Sequence, residues 1–138
     1  MNTKLFERAN QLIKAYCCAS FGVIDESGNP SVSSISLVKP ENISELYFTT
    51  TLDSNKAKRL SQNNKASICC RDDKGAVNIT LVGQAEILTD QESKSKYWLN
   101  WFAEIYPGGE TDPNYCVVKF TTKRVSLWLD DETAEFSL

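Results

Sequence analysis

Thr49, Thr50, Thr51, Ser54 and Lys56 bring several hydroxyls and an ammonium into one short stretch. That set matches the needs of a phosphate, which takes hydrogen bonds from O–H and N–H donors and a counter-charge from lysine. A helix opening near Asp53 or Ser54 would add its own first N–H groups and their partial positive charge. The same residues admit a plainer reading, with Asp53 or Ser54 as an ordinary N-cap and Lys56, Lys58 and Arg59 as a solvated basic face. Local sequence alone leaves both readings open.

Composition narrows the chemistry. The chain of 138 residues contains no histidine, which excludes Ser-His-Asp and Cys-His nucleophilic machinery, the HExxH zinc site and a histidine-ligated haem. Its five cysteines fall as Cys17-Cys18, Cys69-Cys70 and Cys116. They lack CxxC spacing, so they read as small buried side chains, with no metal centre and no complete disulfide framework. A net charge of −3 and a pI near 5.0 disfavour nucleic acid as a partner. No apolar run approaches the roughly 20 residues that span a bilayer, and the first residues lack the apolar core of a signal peptide. A cytoplasmic protein without a membrane partner is expected.

The elements that must position the hydroxyl cluster follow from periodicity. Leu5, Ala9, Leu12, Ile13 and Tyr16 recur at helical spacing within residues 3–16, predicting an amphipathic helix capped by Asn2 or Thr3. Residues 18–24 and 31–38 read as a hairpin around a turn-rich 25–30, with a bulge or a wall shared with a site at Ser33-Ser34. Residues 45–51 form the next strand and 53–62 a helix buried through Ala57 and Leu60. Residues 66–71 and 76–88 are two further strands, with Gly83 permitting a bend or a close approach. Thr89 or Asp90 caps a second sizeable helix that gathers Trp98, Trp101, Phe102 and Ile105 on one face, with Tyr97 at its margin. Residues 115–120 and 124–129 form a closing pair of strands joined by a turn at 121–123. The expected architecture is mainly β with peripheral helices, a six- or seven-stranded antiparallel barrel in one domain over 1–130, then an acidic C-terminal tail over 131–138. Neither GxGxxG nor GxxxxGK[ST] is present.

With those elements placed, the chain resembles the pyridoxamine 5'-phosphate oxidase-like superfamily of FMN-binding split barrels, in particular its general-stress-protein branch. Three stretches carry the resemblance: YFTTTLDSNK at 47–56 leading to Leu60, VNITLVGQA at 77–85 with Asp90 following, and RVSLW at 124–128. The resemblance implies a homodimer with flavin sites at the subunit interface. It implies that Ser54 and Lys56, with Asn55 between them, meet the FMN phosphate. By the same matching, Ser33, Ser34, Ile35, Ser36, Phe48, Thr49 and Thr50 approach the ring and ribityl chain, with Gln84 and Trp128 as further contacts. Asn55 stands where the family often has arginine, so a deazaflavin or no cofactor are the alternatives to FMN. The C-terminal residues are acidic and lack histidine, so true pyridoxamine phosphate oxidase activity is not expected, nor is haem chemistry that relies on histidine. The implied function is flavin-dependent oxidoreduction with a small-molecule electron donor or acceptor. A non-catalytic flavin-binding or sensing protein and an interaction protein with a degenerate pocket are the alternatives.

Overall fold

The computed structural model describes residues 2–16, 18–72, 74 and 76–138. Helix α1 (Thr3–Ile13) starts at Asn2, whose side chain accepts a hydrogen bond from the Leu5 amide at 3.1 Å. Leu5, Ala9 and Ile13, four residues apart, form its buried stripe. Strands β1 (Cys18–Ile24) and β2 (Pro30–Ser36) make the expected hairpin. Its turn is held by the Asp25 carboxylate, which accepts from the Ser27 and Asn29 amides, and by Gly28 at φ 82°. Strand β3 (Glu45–Thr51), helix α2 (Asn55–Gln62), β4 (Lys65–Arg71), β5 (Asn78–Leu88), α3 (Gln91–Lys96), β6 (Tyr115–Leu129) and β7 (Glu132–Ser137) follow.

The seven strands form one antiparallel sheet in the order β2-β1-β4-β5-β6-β3, with β7 also on β6. That sheet curls on itself. Strand β1 lies near one end of the path and β3 at the other, yet Phe21 and Phe48 meet edge to face with centroids 4.7 Å apart. Such a pair is worth about 0.5–1.5 kcal/mol beyond its burial. The ends of the path nearly join: the Val38 amide, just past β2, donates to the Tyr47 carbonyl of β3 at 2.8 Å. A barrel closed at that seam by so little hydrogen bonding is a split barrel.

Four expectations change on the structure. The β1–β2 register runs unbroken from Cys18 opposite Ser36 to Ile24 opposite Pro30, so Ser33-Ser34 carries no bulge. The irregularity lies instead between Val82 and Gly83. Val82 faces Arg124 and Gly83 faces Thr122, which leaves Lys123 as the extra residue in β6. Residues 121–123, expected as a turn, are therefore a bulge in one 15-residue strand. The bulge moves the inward face from Val118 and Phe120 to Val125, Leu127 and Leu129. That phase change looks like a strand break in sequence. Gly83 is required there: a Cβ on it would lie 2.0 Å from the Thr121 carbonyl oxygen.

The acidic C-terminal residues, expected as a tail from 131, form β7 against β6 in register from Arg124–Ser137 to Leu129–Glu132. Asp130 and Asp131, at φ 52° and 60°, make the tight turn, and Phe136 packs on Phe6 at 5.9 Å. The second large helix is also shorter than expected. Asp90 does cap it, accepting from the Ser93 amide, but α3 has six residues and the chain continues as a 3-10 turn over Asn100–Glu104. Of the expected aromatic face, Phe102 is buried while Trp101 and Ile105 are half exposed, and Tyr97 is buried rather than marginal. Tyr97, Phe102, Tyr106, Tyr115, Val117 and Val38 form a second core outside the barrel wall. The buried residue of α3 itself is Lys94, whose ammonium donates to the Asp112 carbonyl at 2.8 Å and sits 5.5 Å from the Tyr115 ring centre.

Candidate functional site

Strand β3 alternates Leu46 and Phe48 into the barrel with Tyr47 and Thr49 toward the outer aromatic core. Its end is tied down from two sides. The Leu52 amide donates to the Asn114 carbonyl at 2.8 Å, and the Asn114 side-chain amide donates to Asp53 at 3.3 Å. Hydrogen bonds from Thr51 and Asn114 hold the Asp53 carboxyl below its ordinary 3.8. The chain then turns into α2 with Ser54, not Asp53, as N-cap.

Ser54 Oγ accepts from the Ala57 amide at 3.2 Å and from the Thr50 hydroxyl at 3.0 Å. Both lone pairs are thus used, and the serine's own proton remains to be donated outward. The first intrahelical bond is from the Lys58 amide to the Ser54 carbonyl at 3.1 Å. The amides of Asn55 and Lys56 therefore have no intrahelical acceptor. Lys56 is half buried and makes no ion pair among the described residues. A cap and an anion cradle are compatible here, because Ser54 accepts from the helix and from Thr50 and so keeps its own proton.

The barrel seam brings a second group of expected residues to the same region. Strands β2 and β3 are in contact across it, so Ser33, Ser34 and Ser36 lie on one free edge and Thr49 and Thr50 on the facing one. Two contacts bracket that seam: Val38 to Tyr47 at one end, and at the other the Arg59 guanidinium of α2, which donates to Ser31 Oγ at 3.1 Å. Ile35 and Phe48 belong to the buried core and present only backbone to the seam. Gln84 and Trp128 stand apart. Trp128 faces Asn78 and lines a groove with Ser126 and Thr133, while Gln84 is opposite Lys65 and Thr121. From Asn78 to Gln84 the distance along β5 is roughly 20 Å.

Sequence reading passed over Tyr106. Its buried hydroxyl reaches Thr49 Oγ1 at 3.0 Å, a contact between residues 57 apart in the chain that no local pattern signals. The cysteines divide by strand alternation: Cys70 and Cys116 are buried, Cys69 is partly buried, Cys18 is exposed, and Cys17 lies outside the described residues. The expectation of buried pairs therefore fails for Cys18. Burial pushes the Cys70 thiol up to about 12 and the Cys116 thiol up to about 11, the reverse of a nucleophile. Among the described residues no His, Cys, Asp or Glu cluster could hold a metal, and no helix is long and apolar enough to cross a membrane. A cavity of about 250 Å³ lies between Lys39, Glu45, Tyr47, Lys96 and Tyr97. Several of its polar groups are already engaged: Lys39 on the Lys96 carbonyl, and Glu45 with Tyr47 and Lys119.

Comparison with known proteins agrees with the split-barrel fold. The family model described as "Pyridoxamine 5'-phosphate oxidase like" matches residues 5–137. No curated protein matches. A Clostridium acetobutylicum protein related to general stress protein 26 of B. subtilis superposes with a TM-score of 0.87 at 25% identity, covering 100% of this chain and 97% of its own. General stress protein 26 from Bacillus anthracis gives 0.82 at 20% identity, over 97% and 98%. A heme binding protein from Mycobacterium smegmatis gives 0.71 at 15% identity, covering 94% of this chain and 55% of its own, and shares the fold. With almost its whole length matched and the split barrel in place, the chain belongs to the pyridoxamine 5'-phosphate oxidase-like family, alongside proteins of the general stress protein 26 type.

Proposed function

We propose that this protein binds FMN as a homodimer and acts as a flavin-dependent oxidoreductase on a small-molecule electron donor or acceptor in the cytoplasm. The observation that carries the reading is the α2 start, where a capping hydroxyl, amides without intrahelical acceptors and a lysine with no ion pair among the described residues fall at consecutive positions 54–56. A phosphate dianion fits that set by charge and by donor count. Ser54 and the Asn55 and Lys56 amides would hold the phosphate, and Lys56 would supply the counter-charge. Ser33, Ser34, Ser36 and Thr50 at the seam would orient the rest of the molecule. When bound, the flavin supplies the redox chemistry, and the protein positions it and limits access.

Grooves of the single chain are lined by Gln84 and by Trp128, on outer faces of the sheet. A flat apolar ring needs walls on both faces, which favours a second copy covering the seam. Gln84 and Trp128 would then serve from that copy or not at all. One observation favours a non-catalytic flavin carrier or sensor as the second reading. Asp53 is the ionisable acid at the α2 start, and its lowered carboxyl is a poor proton acceptor at neutral pH.

The test is titration of FMN fluorescence with purified wild type and Lys56→Ala. Wild type quenches at micromolar concentration, and the variant binds at least about tenfold more weakly. Equal binding by both proteins would remove Lys56 from the site, and mass analysis of released ligand would distinguish FMN from a deazaflavin. If bound flavin is reduced by nicotinamides no faster than free flavin, the carrier reading replaces the enzymatic one.

A further inference from the structure

Tyr106 is 4% exposed, and its ring is enclosed by Trp98, Phe102 and Tyr115. Trp98 and Phe102 offer its hydroxyl no acceptor, and the Tyr115 hydroxyl is turned to the Lys94 carbonyl, to which it donates at 2.8 Å. A buried phenol must give its proton to something. The hydrogen bond of the Tyr106 hydroxyl runs to Thr49 Oγ1, at 3.0 Å, and with Tyr106 as its donor the Thr49 proton is left for another acceptor. Thr49 is partly buried at the β3 edge, and its hydroxyl has no acceptor among the described residues. Burial raises the Tyr106 phenol above its ordinary value, so the donor stays protonated through the neutral range.

We infer that Tyr106 is a positioning residue which fixes the Thr49 rotamer and commits its hydroxyl proton to an acceptor on the bound flavin, a ring carbonyl or a ribityl oxygen. This rests on the flavin reading above and extends it to a residue behind the barrel wall. The same segment that carries Tyr106 also supplies Asn114 to Leu52 and Asp53. The aromatic core thus braces β3 and the α2 start from outside the seam.

The experiment is a double-mutant cycle on FMN affinity, with the absorption spectrum of the bound flavin as a second readout and thermal melting as a control. Tyr106→Phe removes the donor and keeps the ring, and Thr49→Val removes the hydroxyl and keeps the shape. Each variant is expected to weaken FMN by about three- to tenfold and to shift the flavin band in the same direction. The double variant should lose no more than Thr49→Val alone, and Thr49→Ser should retain most of the affinity. Losses that multiply, or a Tyr106→Phe protein with wild-type affinity and spectrum, would overturn the inference while leaving flavin binding intact. Thr49→Val with unchanged affinity would overturn it even if Tyr106→Phe fails to fold. A wild type that binds no flavin would overturn the inference and the flavin reading together.

Discussion

Ser54 caps α2 and, in the proposed site, also holds the phosphate with the same hydroxyl, and the two roles separate by substitution. Ser54→Ala loses the cap and is expected to cost about 1 kcal/mol of stability, measurable by denaturant unfolding, together with weaker FMN binding. Aspartate caps as well as serine does but puts a carboxylate against the phosphate. Ser54→Asp should therefore keep wild-type stability and lose FMN more severely than Ser54→Ala. Titration of other residues sets the pH limits. Asp53, Asp90 and Asp112 have carboxyls lowered by hydrogen bonds they accept in the fold. Their contribution is present above the unfolded value of 3.8 and is lost as pH falls through the lower folded values. The thiols work in the opposite direction: raised in the fold, Cys70 and Cys116 contribute below 9.0 and lose that contribution as pH rises toward about 12 and 11. Melting temperature against pH should fall at both ends, and thiol reagents at neutral pH should spare Cys70 and Cys116 until the protein is unfolded.

The β5–β6 bulge and the C-terminal hairpin are the elements that most shape the barrel. Gly83→Ala places a carbon against a backbone oxygen that cannot move alone, and is expected to destabilise by about 3 kcal/mol or leave the protein insoluble. Phe136→Ala should cost about 2 kcal/mol through the lost contact with Phe6 and the core, whereas an unstructured tail would tolerate it. These two sites also mark where sequence became hard to read. Strands 18–24 and 45–51 and the α2 cap were legible, because alternation, turn residues and an N-cap serine are local signals. The bulge was not, since a phase change between Phe120 and Val125 reads like the end of a strand. Strand β7 was hidden because Asp130-Asp131 is a weak turn signal and its side chains are mostly exposed. The α3 region misled because aromatic residues packed from a 3-10 turn imitate a helical stripe. Of the site, the α2 start was visible in sequence, while Tyr106 depended on a fold-level contact.

Whole-molecule behaviour turns on the exposed outer surface. Val32 is 69% exposed beside a groove of about 500 Å³ lined by Gly22, Ser67, Val82 and Gln84 on the outer sheet face. Trp101 and Ile105 are half exposed on the aromatic core. A two-fold interface would cover these apolar areas and complete the seam, so sedimentation at tens of micromolar should show a dimer, and a strict monomer would leave the ring without its second wall. The proposal that phosphate is the handle is tested most directly by comparing FMN with riboflavin, which carries the same ring and ribityl chain without the phosphate. Wild type should bind FMN more tightly than riboflavin by at least about tenfold, and Lys56→Ala should narrow that gap. Equal affinity for the two ligands in wild type would contradict an anion site at the start of α2.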